Sequence, residues 1–294
     1  MVSISEIKCW QCNFVAVLNN NFNPATFLAS APSSVLQVMI FFVAWIGCWL
    51  PIAIVWAIAT DWRPFKPLEA QKLPLLTSLY LIAPLVLWRA NWLTGASFSD
   101  YGFTWNLGIL RSLGLGFSGG VLSLAVLFGI QTALGWMTWQ QVEVRQLVSV
   151  LLPTLLLALW ISGTEELVFR GFLLTKLQQD YSVGVAAASS SLIFALLHLI
   201  WERKETIPQL PGLWLMGMVL VLARFIDGGS LGLAWGLHTG WVWAIASLDT
   251  ARLITYTGIS SEWVTGKNGK PLAGVAGVLC LLATGLILWF FYAE

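Results

Sequence analysis

Apolar runs separated by short polar punctuation make up most of the chain, and each run is close to the roughly 20 residues a helix needs to cross the hydrocarbon core of a bilayer. Eight runs can be read, at about residues 35–59, 73–92, 113–136, from 147 onward, 182–200, 212–226, 231–248 and 272–292. Lipid offers no partner to an unpaired peptide group, so each run predicts a helix. The stretch TDWRPFKPLEAQK between the first two gathers prolines and charges and reads as a loop. The fourth run continues through WISGTEELVFRGFL, Trp160 to Leu173, which predicts one long helix with two glutamates near its middle.

Residues 1–34 read as an interfacial or loosely ordered lead-in. The segment FVAVL is too short for the apolar part of a signal peptide and Lys8 is the only basic residue there, so no cleaved export signal is expected. The interval between the last two helices, DTARLITYTGISSEWVTGKNGKP, is the longest polar connection after that lead-in, and Asn268-Gly269 favours a tight turn in it. No internal repeat is evident. The expectation is one membrane domain over residues 35–294, with a motif core at about 147–248.

Composition agrees with this pattern. The chain is 58% hydrophobic and 10% charged, with mean hydropathy +0.79, whereas a soluble domain carries about 25% charged residues. The fold class expected is all-α, a polytopic integral membrane protein of about eight transmembrane helices whose first partners are membrane lipids. A net charge of +1 leaves no basic surface for nucleic acid. With the amino terminus outside, the inner loops hold Arg63, Lys66, Lys72, Arg145, Arg203, Lys204, Arg252, Lys267 and Lys270, nine of the fifteen basic residues.

Several features have bland readings. Trp92, Trp136 and Trp201 fall near expected helix ends, where indole rings favour the headgroup region. Trp235, Trp241 and Trp243 lie within the seventh helix, and helix packing is preferred over a cavity lining. Gly217 with Ala223, and Ser189 to Ser191, suit small-residue helix contacts. Cys9 and Cys12 form a single CWQC pair with no second half-site. Cys48 and Cys280 lie in apolar runs and read as packing residues.

The ionisable residues do not have a bland reading. The chain has two histidines, His198 and His238, and both fall in expected membrane helices together with Glu165, Glu166 and Arg170. A charge at the bilayer centre costs of order 2.5 to 3.5 kcal/mol on insertion scales, so such groups mark a buried polar site. Glu166 and Arg170 are four apart and can pair on one helical face. Glu165 is turned about 100° away at 3.6 residues per turn, which leaves its carboxylate available. If Glu165 meets His198 and His238 in a wet pocket, a base, hydrogen-bonding groups and water suffice for hydrolysis. On simple spans Glu165 and His238 lie toward one side of the membrane and His198 toward the other, so a long or shifted fourth helix is needed to bring them level.

These residues resemble a family. EELVFR, Glu165 to Arg170, matches the EExxxR motif of the CAAX-protease and bacteriocin-processing membrane family, also called Abi. FALLH, Phe194 to His198, matches its FxxxH motif, and HTGWV, from His238, occupies the place of its HxxxN motif. The resemblance covers about 100 residues, from the fourth helix through the seventh. It implies an all-helical intramembrane peptidase core in which Glu165 activates water, His198 helps hold the water or the developing oxyanion, His238 binds the oxyanion side, and Glu166 with Arg170 braces the helix. The asparagine of the last motif is Val242 here. Valine cannot donate a hydrogen bond, and loss of one oxyanion donor can cost about 2.7 to 4 kcal/mol in a protease.

The leading expectation is thus an intramembrane endopeptidase acting on a membrane-associated protein or peptide, with no cofactor. The alternative is a catalytically impaired member that serves as a scaffold, assembly factor or subunit beside partner proteins, which Val242 favours. A proton-carrying transporter is third. Zinc held by Glu165, His198 and His238 is chemically conceivable, yet no HExxH spacing and no second-shell acid support it, and metal-independent glutamate chemistry is preferred.

Overall fold

A computed structural model describes residues 33–60, 72–200 and 203–293 of the chain. The lead-in up to residue 32 with Cys9 and Cys12, the loop at 61–71 and Trp201 lie outside the described residues.

Eight helices of fifteen residues or more occur among the described residues. They are α1 (Ser34–Ala59), α2 (Lys72–Thr94), α3 (Leu107–Ala133), α4 (Val144–Leu177), α5 (Val183–Leu197), α6 (Leu210–Ile226), α7 (Gly232–Thr250) and α8 (Val275–Ala293). Each stands where an apolar run was read. Five spans, based on α1, α3, α4, α5 and α6, are long and apolar enough to cross a membrane, and α8 contains a shorter apolar helix. The protein is an all-α, multi-pass membrane protein. Large apolar side chains on α1 and α8, such as Val43, Ile58, Phe290 and Phe291, are exposed, as lipid-facing positions require.

Local signals explain the boundaries. Asn106 accepts the Ile109 N–H and starts α3 six residues before the apolar run suggests, carrying Arg111 on the helix. The chain leaves α3 at Ala133 rather than continuing to Trp136, because Met137–Trp139 (β1) pairs antiparallel with Ile254–Tyr256 (β2). That ribbon ties the α3–α4 loop to the long connection before α8. Pro51, Pro84 and Pro153 sit inside α1, α2 and α4, and membrane helices tolerate such prolines where neighbours satisfy the freed carbonyls.

The central element is α7, which packs on α3, α4 and α6. It needs less apolar surface because so little of it meets lipid. Its face toward α3 carries Gly232, Gly236 and Gly240, and α3 answers with Gly116 and Gly120. Backbone meets backbone there, the small-residue packing expected where hydrophobic burial does not drive helix association. A Cβ on Gly236 would stand 2.1 Å from the Leu113 carbonyl oxygen and 2.7 Å from the Phe117 nitrogen. Gly236→Ala should therefore push the two helices apart and lower stability by about 1–3 kcal/mol. Gly114→Ala, which meets nothing within 4 Å, should leave the melting temperature unchanged; equal melting of the two variants would refute the close packing.

The three tryptophans of α7 act as pins. Trp235 donates to the Leu159 carbonyl (2.9 Å), Trp241 to the Ser123 hydroxyl (2.9 Å) and Trp243 to the Leu151 carbonyl (2.9 Å). The small residues do pack between helices, with the Gly217 backbone against Ser191 and the Ser190 hydroxyl donating to the Phe169 carbonyl at 2.8 Å.

Candidate active site

The fourth helix is long, 34 residues in all, and it changes winding where the ionisable residues occur. The α-helix runs to Glu165, Glu166–Leu173 is π-helical, and α-helix resumes at Leu174. A π segment bonds i to i+5, opens the turn and is frequent at functional sites. Arg224 of α6 supports it from outside. Its guanidinium donates to the Arg170 carbonyl, to the Thr175 hydroxyl at 3.0 Å and to the Gly229 carbonyl at 3.1 Å.

Within the segment Glu166 and Arg170 are fully buried and paired at 2.9 Å. The 3.6-residue wheel assumed for this stretch is replaced by the wider turn, yet residues four apart still meet. The same Glu166 oxygen takes a hydrogen bond from His238 Nδ1 at 2.7 Å. A carboxylate only accepts, so this partner fixes the hydrogen on Nδ1 and leaves Nε2 as the ring's acceptor. That Nε2 stands 3.5 Å from Glu165 Oε2. The other Glu165 oxygen accepts the Tyr80 hydroxyl of α2.

His198 follows directly on α5. Its Nδ1 donates to the Phe194 carbonyl at 2.8 Å, again leaving Nε2 as acceptor. The Phe194 ring, fully buried, separates the polar groups like a wedge. It packs edge-on against His198 (4.6 Å between centroids), His238 (5.9 Å) and Phe169 (5.2 Å), and the Arg170 guanidinium lies 4.2 Å from its centre. This cation–π contact covers the side of the arginine that Glu166 does not reach.

Tyr80, Glu165, His198, His238, Trp241 and Val242 share one cavity of about 440 Å³. Lys270, Pro271 and Leu272 of the α7–α8 connection also line it. Glu165 and His238 are brought together directly, whereas His198 stands on the cavity wall with no described hydrogen bond to either. Among the described residues no three His, Cys, Asp or Glu side chains form a group that could hold a metal ion. The zinc arrangement of Glu165, His198 and His238 does not fit this geometry.

Three features were not read from the sequence. Glu166 holds His238 as well as Arg170. Tyr80 reaches Glu165 from α2, far outside the motif core, and a single tyrosine in an apolar run gives little signal. Arg224 had the signal, since it is a charge inside an expected span, the same criterion that singled out Glu165 and Arg170.

Residues 145–244 match the family model described as type II CAAX prenyl endopeptidase Rce1-like. No curated protein and no solved structure matches the chain. The matched stretch begins within the first turn of α4 and ends inside α7, so it contains all three motifs and every ionisable side chain of the cavity contributed by α4, α5 and α7. Over this core the chain resembles the CAAX-protease family of integral membrane endopeptidases.

Proposed function

We propose that the protein is an intramembrane endopeptidase in which Glu165 activates a water held in the cavity. The observation that carries this reading is the Glu165 carboxylate, buried between the Tyr80 hydroxyl and His238 Nε2 and opening on the cavity that His198 also lines. Glu165 takes a proton from water as the water oxygen bonds to the peptide carbonyl carbon. The same proton passes to the leaving nitrogen when the C–N bond breaks. Glu166 keeps His238 in one tautomer and orientation, so that Nε2 accepts the water's second hydrogen and leaves the water's lone pair facing the carbonyl. The substrate is a membrane-associated protein or peptide, and one membrane domain, residues 35–294, carries the whole reaction.

Val242 lines the cavity where the family's motif has asparagine, and this favours the scaffold as a second reading. Tyr80 offers a resolution. Its single O–H, donated to Glu165 in the resting site, is released to turn to the oxyanion once Glu165 has taken the water's proton, and so supplies the donor that valine lacks. The test is cleavage of membrane-anchored peptides by the full chain in proteoliposomes. Wild type should cleave, Tyr80→Phe should lose about 10²–10³ in rate, the effect of one oxyanion donor, and Val242→Asn in the Tyr80→Phe background should recover part of it. Cleavage unaffected by Tyr80→Phe would remove tyrosine from the mechanism, and no cleavage of any anchored peptide by wild type would leave the scaffold reading.

A further inference from the structure

A second cavity, of about 520 Å³, lies between α1 and α2 and the end of α4. Its walls are apolar over most of their length, with Ile40, Ala44 and Ile52 from α1 and Ile82, Leu85 and Val86 from α2. Its polar groups gather at one end. Arg89 and Asn91 come from the last turns of α2, and Lys176 from the last turn of α4. No acidic side chain lines the cavity, and no carboxylate among the described residues pairs with Arg89 or Lys176. Asn91 is 4% exposed, and neither its amide nitrogen nor its amide oxygen has a described partner. A buried amide left so is costly.

The depth of this end follows from its aromatic neighbours. Trp88 and Trp92 are exposed, and the Arg89 guanidinium lies 4.1 Å from the Trp92 ring centre. Exposed indoles stacked with arginine at a helix end belong to the headgroup level. The start of α1, the end of α2 and the end of α4 share this level, and the active-site cavity opens instead toward Thr206, Gln209 and Lys270 at the other end of the bundle.

We propose that this groove is a binding site for an anionic phospholipid. The phosphate lies between Arg89 and Lys176, and the Asn91 amide donates to it. An acyl chain runs down the apolar wall past Ala44. A headgroup that carries a hydroxyl, as phosphatidylglycerol does, also offers a donor to the Asn91 oxygen, so both unpartnered atoms of the amide are met. Two cations with no acid in a groove at the headgroup level select negative lipid over zwitterionic lipid.

The test uses the purified full chain in nanodiscs of equal phosphatidylglycerol and phosphatidylcholine, followed by detergent exchange and mass spectrometry of the retained lipid. Phosphatidylglycerol should be retained with a preference of roughly ten-fold or more, the order expected for two cations at one phosphate. Arg89→Gln combined with Lys176→Gln should bring the preference close to one. Ala44→Trp, which fills the acyl part and leaves both cations, should reduce retention of both lipids and serves as the second variant if the first does not fold. Soluble glycerol phosphate should not compete, because the chain contributes the larger share of binding; full competition would make this a free-phosphate site and overturn the lipid. Equal retention of the two lipids by wild type, or an undiminished preference in the folded double variant, would also overturn it. Retention that appears only after deletion of residues 1–32 would assign the groove to that segment of the chain instead.

Discussion

Glu165→Gln should abolish hydrolysis and leave the fold intact. The amide oxygen can still accept the Tyr80 hydroxyl, so the packing around position 165 has no new unsatisfied donor from that side. What disappears is the group that accepts the water's proton. General-base catalysis contributes typically 10²–10⁴ in rate, and a loss of at least that size is expected in single-turnover cleavage of an anchored peptide. The melting temperature should stay within a few degrees of wild type, since no buried charge pair is broken. Turnover retained at wild-type rate in a purified, lipid-embedded Glu165→Gln protein would exclude the proposed mechanism.

Arg170→Ala is expected to damage stability rather than chemistry alone. Arg170 is fully buried, pairs with Glu166 at 2.9 Å and stacks on Phe194. Its removal leaves the Glu166 carboxylate in the core with the His238 N–H as its one remaining described hydrogen bond. Breaking one partner of a buried pair costs about 3–5 kcal/mol, a large part of the stability of most domains. Removing both charges should cost much less, because the desolvation penalty is removed with them. Glu166→Gln with Arg170→Met should therefore melt above Arg170→Ala, and the amide oxygen can still receive the His238 N–H. Unchanged denaturant or thermal unfolding in Arg170→Ala would show that the pair does not brace the helix.

How much of this was legible in the sequence depended on the range of the signal. Helices α5 to α7 were placed within a few residues, because their apolar runs end in Asp180, Asp227 and Asp249 and their flanking turns. The long fourth helix was also legible, and its length lets Glu165 share a cavity with His198. The start of α3 was not, since Arg111 reads as a loop residue until Asn106 is seen to cap the helix. The β1–β2 ribbon joins segments more than a hundred residues apart and has no local mark. The same holds for Tyr80, which matters only because α2 packs beside α4. For the candidate site, the cost of charge in lipid singles out Glu165, Glu166, Arg170, His198 and His238, and it does not give their pairing. Residue spacing on one helix gave Glu166–Arg170. It carried no information on which glutamate His238, 72 residues away, would hold.

The π segment makes the fourth helix two rods in sequence with different phases. Each residue from Glu166 to Leu173 advances the chain around the axis by less than an α-helical residue does. Side chains after Leu173 thus lag behind the positions an unbroken helix would give them. A hydrophobic stripe traced from Val144 cannot continue unchanged to Leu177, so the sequence satisfies two separate registers, one against α7 and one against α1. Substitutions leave these registers in place. Loss of a single residue from the wide turn would rotate the distal rod against its neighbours, and length in this stretch is as much a part of the site as its carboxylates.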